Sequence, residues 1–334
     1  ITGASTPAIT GVTTTLLAHV TLFKNRLFFV ESTSMRLWYL PVNSVGGAAA
    51  QMDMGSIFRL GGYVMAAYTW TLDAGSGSDD HLVIISSNGE IAVYRGSDPS
   101  SSTDWSVIGV FTMGRPLGRR CAVKFGGDLA VNTYEGVYPL GKGLLSSSVD
   151  RRVALTDKIQ NSVSQAASTL GANFGWQVCL NADDNMLILN VPYGGGANYQ
   201  YAQNTITGAW TVFSGWDAQV WLKASTGLYY GGSTFINKAW TGNADITVPI
   251  TADVCQSFGY FGTKAYNKYF TMIRPYLMTG GSPSILYALN TDYELTEPTG
   301  ALSYTAPTGM VWGSMVWGSM VWGGGLEAIR SWNT

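Results

Sequence analysis

Apolar positions along this chain fall in short runs broken by polar or glycine-containing turns. Leu22 to Pro41, L-F-K-N-R-L-F-F-V-E-S-T-S-M-R-L-W-Y-L-P, reads as two apolar strands around a polar turn at Glu31–Ser34. Gly62 to Thr71 reads as another strand. His81 to Gly96, H-L-V-I-I-S-S-N-G-E-I-A-V-Y-R-G, places Asn88-Gly89 between two β-rich runs. Asn-Gly there predicts a type I′ hairpin turn, whose two central residues both need positive φ. Trp105 to Met113 adds a strand, and Cys121 to Leu140 adds three, with turns at Gly126-Gly127-Asp128 and Glu135-Gly136. Gly175 to Val191 turns at Asp183–Asn185. Tyr199 to Phe213 follows, then Trp216 to Trp240 with turns at Thr226-Gly227 and Gly232-Ser233. Short strands punctuated this densely indicate a sandwich, a barrel or a propeller.

One segment has a different period. In Asp150 to Leu170, Ile159, Val163, Ala166, Ala167 and Leu170 recur at helical spacing. Thr156 or Asp157 fits the N-cap and Gly171 the stop, so one helix is expected at about 156–170. After about residue 245 the pattern shifts, and Phe258 to Leu277 and Ser284 to Tyr293 read as longer strands. Beyond Pro298, Met-Val-Trp-Gly-Ser recurs from Met310 with a period of five. That period matches neither helix nor strand, so no regular element holds the three tryptophans on one face.

The strand runs share an ending, a turn leading to a short run with an aromatic: Trp38, Tyr94, Tyr138, Trp210 and Trp240. The gaps between them are 56, 44, 72 and 30 residues, and the widest contains the helix. Propeller blades take about 40–50 residues. We therefore expect an all-β fold, an irregular β-propeller at 1–245 with one inserted helix. A smaller C-terminal β region or propeller closure follows at 246–298, and an extended Trp/Gly-rich tail at 299–334. A stack of sandwiches would give the same local signals. In a blade, the recurring aromatic packs between neighbouring sheets. Trp210→Ala is then expected to cost about 3–5 kcal/mol.

Composition sharpens this picture. The chain has 334 residues, 12% charged, 13% aromatic, with 41 glycines and a net charge of −2. Half the usual share of charge suggests that a neighbour covers part of the surface. Long basic tracts for nucleic acid are absent. Cys121, Cys179 and Cys255 are odd in number and far apart, which favours reduced core residues over a disulfide framework. No apolar run is long enough to span a bilayer. The first residue is Ile1, from which we expect a chain beginning partway through a longer or processed product.

Candidate chemistry is sparse. Asp73-Ala74-Gly75-Ser76-Gly77-Ser78-Asp79-Asp80 has acidic and small residues that could wrap Ca²⁺, with Asp73, Asp79 and Asp80 as ligands. It lacks the mid-loop acids and downstream Glu of an EF-hand, so a solvated loop is the better reading. His19 and His81 are the only histidines and lie far apart. Asp183-Asp184 reads as a turn former before a paired-carboxylate site. No catalytic constellation emerges, and we expect no enzyme and no cofactor. Arg115, Arg119 and Arg120 cluster in a loop stiffened by Pro116. They suit phosphate, through the guanidinium fork, or carboxylates of a neighbouring subunit. Subunit contact weighs more, since three arginines make a weak nucleic-acid footprint.

An ordered set of motifs resembles one family. It comprises Asn25-Arg26-Leu27-Phe28, Leu37-Trp38-Tyr39, Gly89 to Pro99, Val191-Pro192, Gln200-Tyr201, Asn204-Thr205 and Thr207-Gly208-Ala209-Trp210. This order, over about residues 20 to 295, resembles the tail nozzle proteins of short-tailed bacteriophages, also called tail tubular protein B or DNA-stabilisation proteins. The resemblance implies a structural virion protein in the tail, a propeller-rich subunit in a homo-hexameric ring. The ring would surround the DNA ejection channel, passing DNA without sequence-specific binding. It would meet a tail adaptor protein above and tail fibres at its side. Family members are longer, which implies a missing N-terminal part, and the Met-Val-Trp-Gly-Ser repeats match nothing in the family. A carbohydrate-binding or glycan-degrading propeller, with tryptophans as sugar platforms, is the alternative. A Ca²⁺-dependent adhesin using Asp73–Asp80 is a weaker third.

Overall fold

The computed structural model describes residues 7–71, 80–145, 153–194, 198–241, 244–245, 248–249, 251–273, 276–279, 282–283, 285–299, 304–305 and 328–331. The chain divides into two units, Ile1–Ile250 and Thr251–Thr334. The first is built from five small antiparallel sheets in a propeller arrangement.

The strands of the first blade and its additions are β1 (Ile9–Thr10), β2 (Leu17–Phe23), β3 (Arg26–Glu31), β4 (Arg36–Tyr39), β5 (Gly47–Ala48) and β6 (Ala50–Asp53). Blade 1 has the order β2-β3-β4-β6, and β1 pairs with β5 beside it. Blade 2 contains β7 (Val64–Trp70), β8 (His81–Ser86), β9 (Glu90–Arg95) and β10 (Ser106–Thr112). Blade 3 contains β11 (Ala122–Phe125), β12 (Asp128–Thr133) and β13 (Gly136–Pro139). Helices α1 (Leu140–Leu145) and α2 (Gln160–Leu170) follow it. Blade 4 contains β14 (Gln177–Asn181), β15 (Met186–Val191), β16 (Tyr199–Asn204) and β17 (Trp210–Ser214). Blade 5 contains β18 (Val220–Ala224), β19 (Gly227–Gly231) and β20 (Ile236–Lys238).

First strands meet first strands: β2 packs on β7, β11 on β14, and β14 on β18. The core therefore lies between blades. Phe23, Phe28 and Leu37 meet Leu82, Ile84 and Tyr94 between blades 1 and 2. Ile85, Ile91 and Val93 meet Leu129, Val131 and Tyr138 between blades 2 and 3. Leu117, Val137 and α2 residues Val163 and Ala167 meet Trp176, Leu187 and Leu189 between blades 3 and 4. Cys179 and Ile188 meet Trp221, Leu228 and Tyr230 between blades 4 and 5. Most apolar surface is buried between neighbouring blades, and blade 1 adds a cluster on its other face, where Phe29, Trp38 and Leu40 pack with Ile9, Val12 and Ala49. Burial between blades explains the unbroken apolar run in β8, whose two faces are both covered.

Local chemistry sets the turns, with one exchange against expectation. Between β8 and β9 only Gly89 has positive φ, +88°, and its N–H bonds Ser86 O at 3.2 Å. Asn88 does not share the left-handed region, so the loop is Ser87-Asn88-Gly89, a three-residue turn of the type I plus bulge class rather than type I′. Two consecutive positive φ values occur instead at Lys24 and Asn25, +46° and +59°, in the two-residue β2–β3 loop. The expected continuous strand from Leu22 is thus a hairpin.

The expected helix divides into a 3₁₀ turn, Asp157–Ile159, and α2. Thr156 precedes that turn but makes no side-chain cap; its hydroxyl accepts the Val137 N–H at 3.1 Å. The chain after α2 has a spatial reason for Gly171, whose φ is −59°. A Cβ there would lie 2.6 Å from the Tyr134 hydroxyl. The six-residue α1 is an addition. Asp128 accepts the Gly141 N–H at 3.0 Å at its start.

In the second unit, the expected longer strands are absent from described residues 258–273 and 285–293, and only Tyr276 and Leu277 of the first expected run lie in a strand. Among the described residues, 251–273 and 285–299 contain no strand, and pairing is confined to short segments. Tyr276–Thr279 pairs with Ala328–Ser331, and Ser282–Pro283 with Tyr304–Thr305. Gly259 and Gly262 interrupt the first run, and a strand without a partner leaves its backbone groups unpaired. The Met-Val-Trp-Gly-Ser repeats lie outside the described residues.

Candidate functional site

The loop Gly114–Arg120 enters blade 3 and is held along it as an extra edge. Pro116 bridges Thr133, Leu117 N–H bonds Asn132 O at 3.1 Å, and Tyr134 N–H bonds Arg115 O at 2.9 Å. Leu117 is fully buried, and Gly118 takes φ +71° under Trp176. Tyr68 of β7 pins the loop's end by donating to Arg119 O at 2.9 Å and accepting Ala122 N–H at 3.2 Å.

This brings the three arginines to one cleft of about 1160 Å³. Residues ahead of or opening the first strands of four blades line it: Leu17 and His19, Tyr63, Arg119, and Phe174. Each guanidinium lies over an aromatic ring. Arg115 is 5.4 Å from the Tyr134 centroid, Arg119 5.6 Å from Tyr63 and Arg120 5.1 Å from Phe174. Arg119 donates to Met65 O at 3.0 Å, and Arg120 to Gln219 O at 2.9 Å. Neither has a carboxylate partner: the ion pairs among the described residues are Arg26–Asp98, Arg36–Glu31 and Lys223–Asp183. Burial lowers the proton affinity of both Arg119 and Arg120. His19 in the same lining is pushed down to about 4, first by burial and then by the Arg119 charge. It is therefore neutral near pH 7, and its Nδ1 accepts the Ala67 N–H at 3.5 Å.

The other candidates separate. Asp80 accepts the Thr71 hydroxyl at 2.7 Å, while Asp73 and Asp79 lie outside the described residues. Among the described residues, no group of three His, Cys, Asp or Glu is placed to hold a metal ion. Asp184 accepts Asn181 Nδ2 at 2.6 Å within its turn, and Asp183 pairs with Lys223. Cys121 and Cys179 are buried free thiols, pushed up by burial to about 12 and about 11. Cys255 is exposed, which corrects its expected core position. No helix among the described residues is long and apolar enough to cross a membrane.

The recurring aromatics mostly pack as expected. Tyr94 and Tyr138 are buried between blades, and Trp210 is half-buried against the α2 cluster, donating to Leu155 O at 3.3 Å; Trp38 is buried instead on the other face of blade 1, with Phe29, Leu40 and Ile9. Trp240 departs from them. It is 45% exposed, has φ +59°, and lies 5.0 Å from Trp216 and 5.8 Å from Phe213.

Sequence reasoning passed over a buried amide network between blades 4 and 5. Asn190 Nδ2 donates to Gly175 O and Ala218 O, both at 2.8 Å. Its Oδ1 accepts Trp221 Nε1 at 3.0 Å and Gln200 Nε2 at 2.9 Å. Gln177 exchanges two bonds with the Trp221 backbone. Polar residues inside the apolar runs L-I-L-N-V and Y-Q-Y-A-Q were the available signal.

No protein-family model matches the chain, and a search of curated proteins finds no match.

Proposed function

We propose that the chain is a structural virion protein, a subunit of the distal tail nozzle of a short-tailed bacteriophage. In this reading copies form a homo-hexameric ring around the DNA ejection channel, with a tail adaptor above and fibres at the side. The ordered motifs of residues 20–295 and the five-bladed propeller are compatible with it. Its main support is exposed apolar residues on strands at the two ends of the blade series, on blade 1 beside the part of that face covered by Ile9, Val12 and Ala49. On blade 1, Val20 and Leu22 are 55% and 60% exposed; on blade 5, Leu222 and Ile236 are 64% and 80% exposed. Single exposed apolar residues are ordinary, but these recur on one strand or one sheet face. Packing the last blade of one copy on the first blade of the next is a head-to-tail contact, which generates a ring when its rotation closes.

Electron microscopy and mass photometry of the purified protein test this. Six-fold rings are expected; a stable monomer with glycan affinity overturns the reading. One observation favours the alternative of a carbohydrate-binding propeller. The exposed Trp240, with its left-handed backbone beside Trp216 and Phe213, resembles a stacking platform for a sugar face. Glycan-array binding lost in Trp240→Ala would support that alternative.

A further inference from the structure

The cleft ahead of the first strands concentrates positive charge in a chain whose net charge is −2. Its lining holds Arg115, Arg119, Arg120 and His19 and no Asp or Glu. We infer that this cleft binds a small anion carrying two or more phosphate groups, gripped by the Arg115, Arg119 and Arg120 guanidiniums. The inference is independent of the tail-nozzle reading.

Hydrogen-bond accounting is the first reason. A guanidinium has five N–H donors. Arg119 spends its bonds on backbone oxygens of β7 and on Ser32 Oγ at 3.5 Å. Arg120 spends Nη2 on Gln219 O, and its buried Nε has no acceptor. Arg115 is exposed and has no hydrogen-bond or ion-pair partner among the described residues, so its guanidinium is open to a ligand. A buried donor without an acceptor costs free energy, and a half-buried cation without a counter-charge costs more. An oxyanion in the cleft supplies the counter-charge that Arg119 and Arg120 lack.

Geometry sets the size of the anion. The three guanidiniums rest on three different rings, Tyr134, Tyr63 and Phe174, from separate loops. These cation–π contacts favour guanidinium positions over the rings before a ligand arrives, which reduces the side-chain entropy lost on binding. A cleft of about 1160 Å³ is far larger than one phosphate needs. A chain of phosphates can reach several of the arginines at once, and charge-assisted forks to phosphate oxygens are the strong kind. His19 gives an internal reporter. The Arg119 charge disfavours its protonation, and a bound anion offsets that charge.

The test is calorimetric titration of the full chain with inorganic tripolyphosphate, inorganic phosphate, a nucleoside triphosphate and a 5′-phosphorylated oligonucleotide. We expect saturable binding of tripolyphosphate, about tenfold or more tighter than inorganic phosphate. Arg115→Gln should weaken it several-fold with little change in the melting temperature, since that exposed side chain makes only the ring contact with Tyr134. Arg120→Lys should also weaken it while keeping the charge. The His19 pKa, followed by NMR, should rise on saturation, a change that a purely structural role for the arginines does not produce. Preference for the nucleoside triphosphate or the oligonucleotide would identify the source of the phosphates. No saturable binding of any phosphate probe at about 1 mM overturns the inference, because three engaged arginines should do better than that. So does tripolyphosphate binding unaltered by both substitutions, or equally tight binding of a tricarboxylate.

Discussion

At the residue scale, two side chains make the clearest predictions. His19 is held neutral by burial and by Arg119, with its folded pKa lowered to about 4 from 6.5. The unfolded chain therefore takes up this proton first as the pH falls. The stability held by neutral His19 is full above about pH 6.5 and is lost as the pH drops toward 4. The full difference is about 3 kcal/mol. Urea midpoints for wild type and His19→Gln between pH 7 and 4 should show the steeper fall in wild type. Trp210 was expected to cost about 3–5 kcal/mol on truncation. It is half-buried, so Trp210→Ala should fall at the low end, about 3 kcal/mol, by urea denaturation. Trp240→Ala, on an exposed ring, should cost less than about 1 kcal/mol.

At the scale of elements, turns and buried amides fix how strands meet. Gly89 combines a φ of +88° with a site where a Cβ would lie 2.2 Å from Met113 O. Gly89→Ala should destabilise the blade 2 hairpin by about 2 kcal/mol or more, read from the melting temperature. Asn204 shows the same logic in the turn before Trp210. Its side chain accepts the N–H groups of Ile206 at 2.9 Å and Thr207 at 3.1 Å, and Gly208 supplies φ +67°. That turn was legible because Asn and Gly announce it. The Lys24-Asn25 turn was not, since lysine gives no such signal. Asn190 makes four bonds, two of which join blade 4 to blade 5, and Asn190→Ala strands Trp221 Nε1 and the Gly175 carbonyl, while Gln200 Nε2 keeps Trp216 O and Ala218 O keeps Asn198 Nδ2. A loss of about 2–4 kcal/mol is expected, with faster amide exchange in β14 and β18.

At the scale of the whole propeller unit, most apolar surface is buried between neighbouring blades, so the end blades are where a partner matters. Leu222 is exposed on blade 5. Under the ring reading, Leu222→Asp should shift mass photometry from rings to single chains and leave the melting temperature of the single chain unchanged. A variant that keeps its rings would place the subunit contact elsewhere. The blade repeat itself was readable as a rhythm of turns and strand-end aromatics. The number of sheets was not, because gaps of 30 to 72 residues follow no fixed period.

The sequence by itself determined the all-β class, the helix between blades 3 and 4, and most turn positions. These depend on local periodicity and on glycine and asparagine conformations, which neighbouring residues dictate. Only the tertiary structure decided that Arg115, Arg119 and Arg120 share a cleft with His19, Tyr63 and Phe174. Those residues are separated by up to 155 positions, Phe174 minus His19, and meet only because first strands converge. It also decided that Asn190 lies inside a sheet interface and that the described residues 251–273 and 285–299 form no strand. Burial and pairing are long-range properties, and a single stretch of sequence carries no record of what will lie across from it.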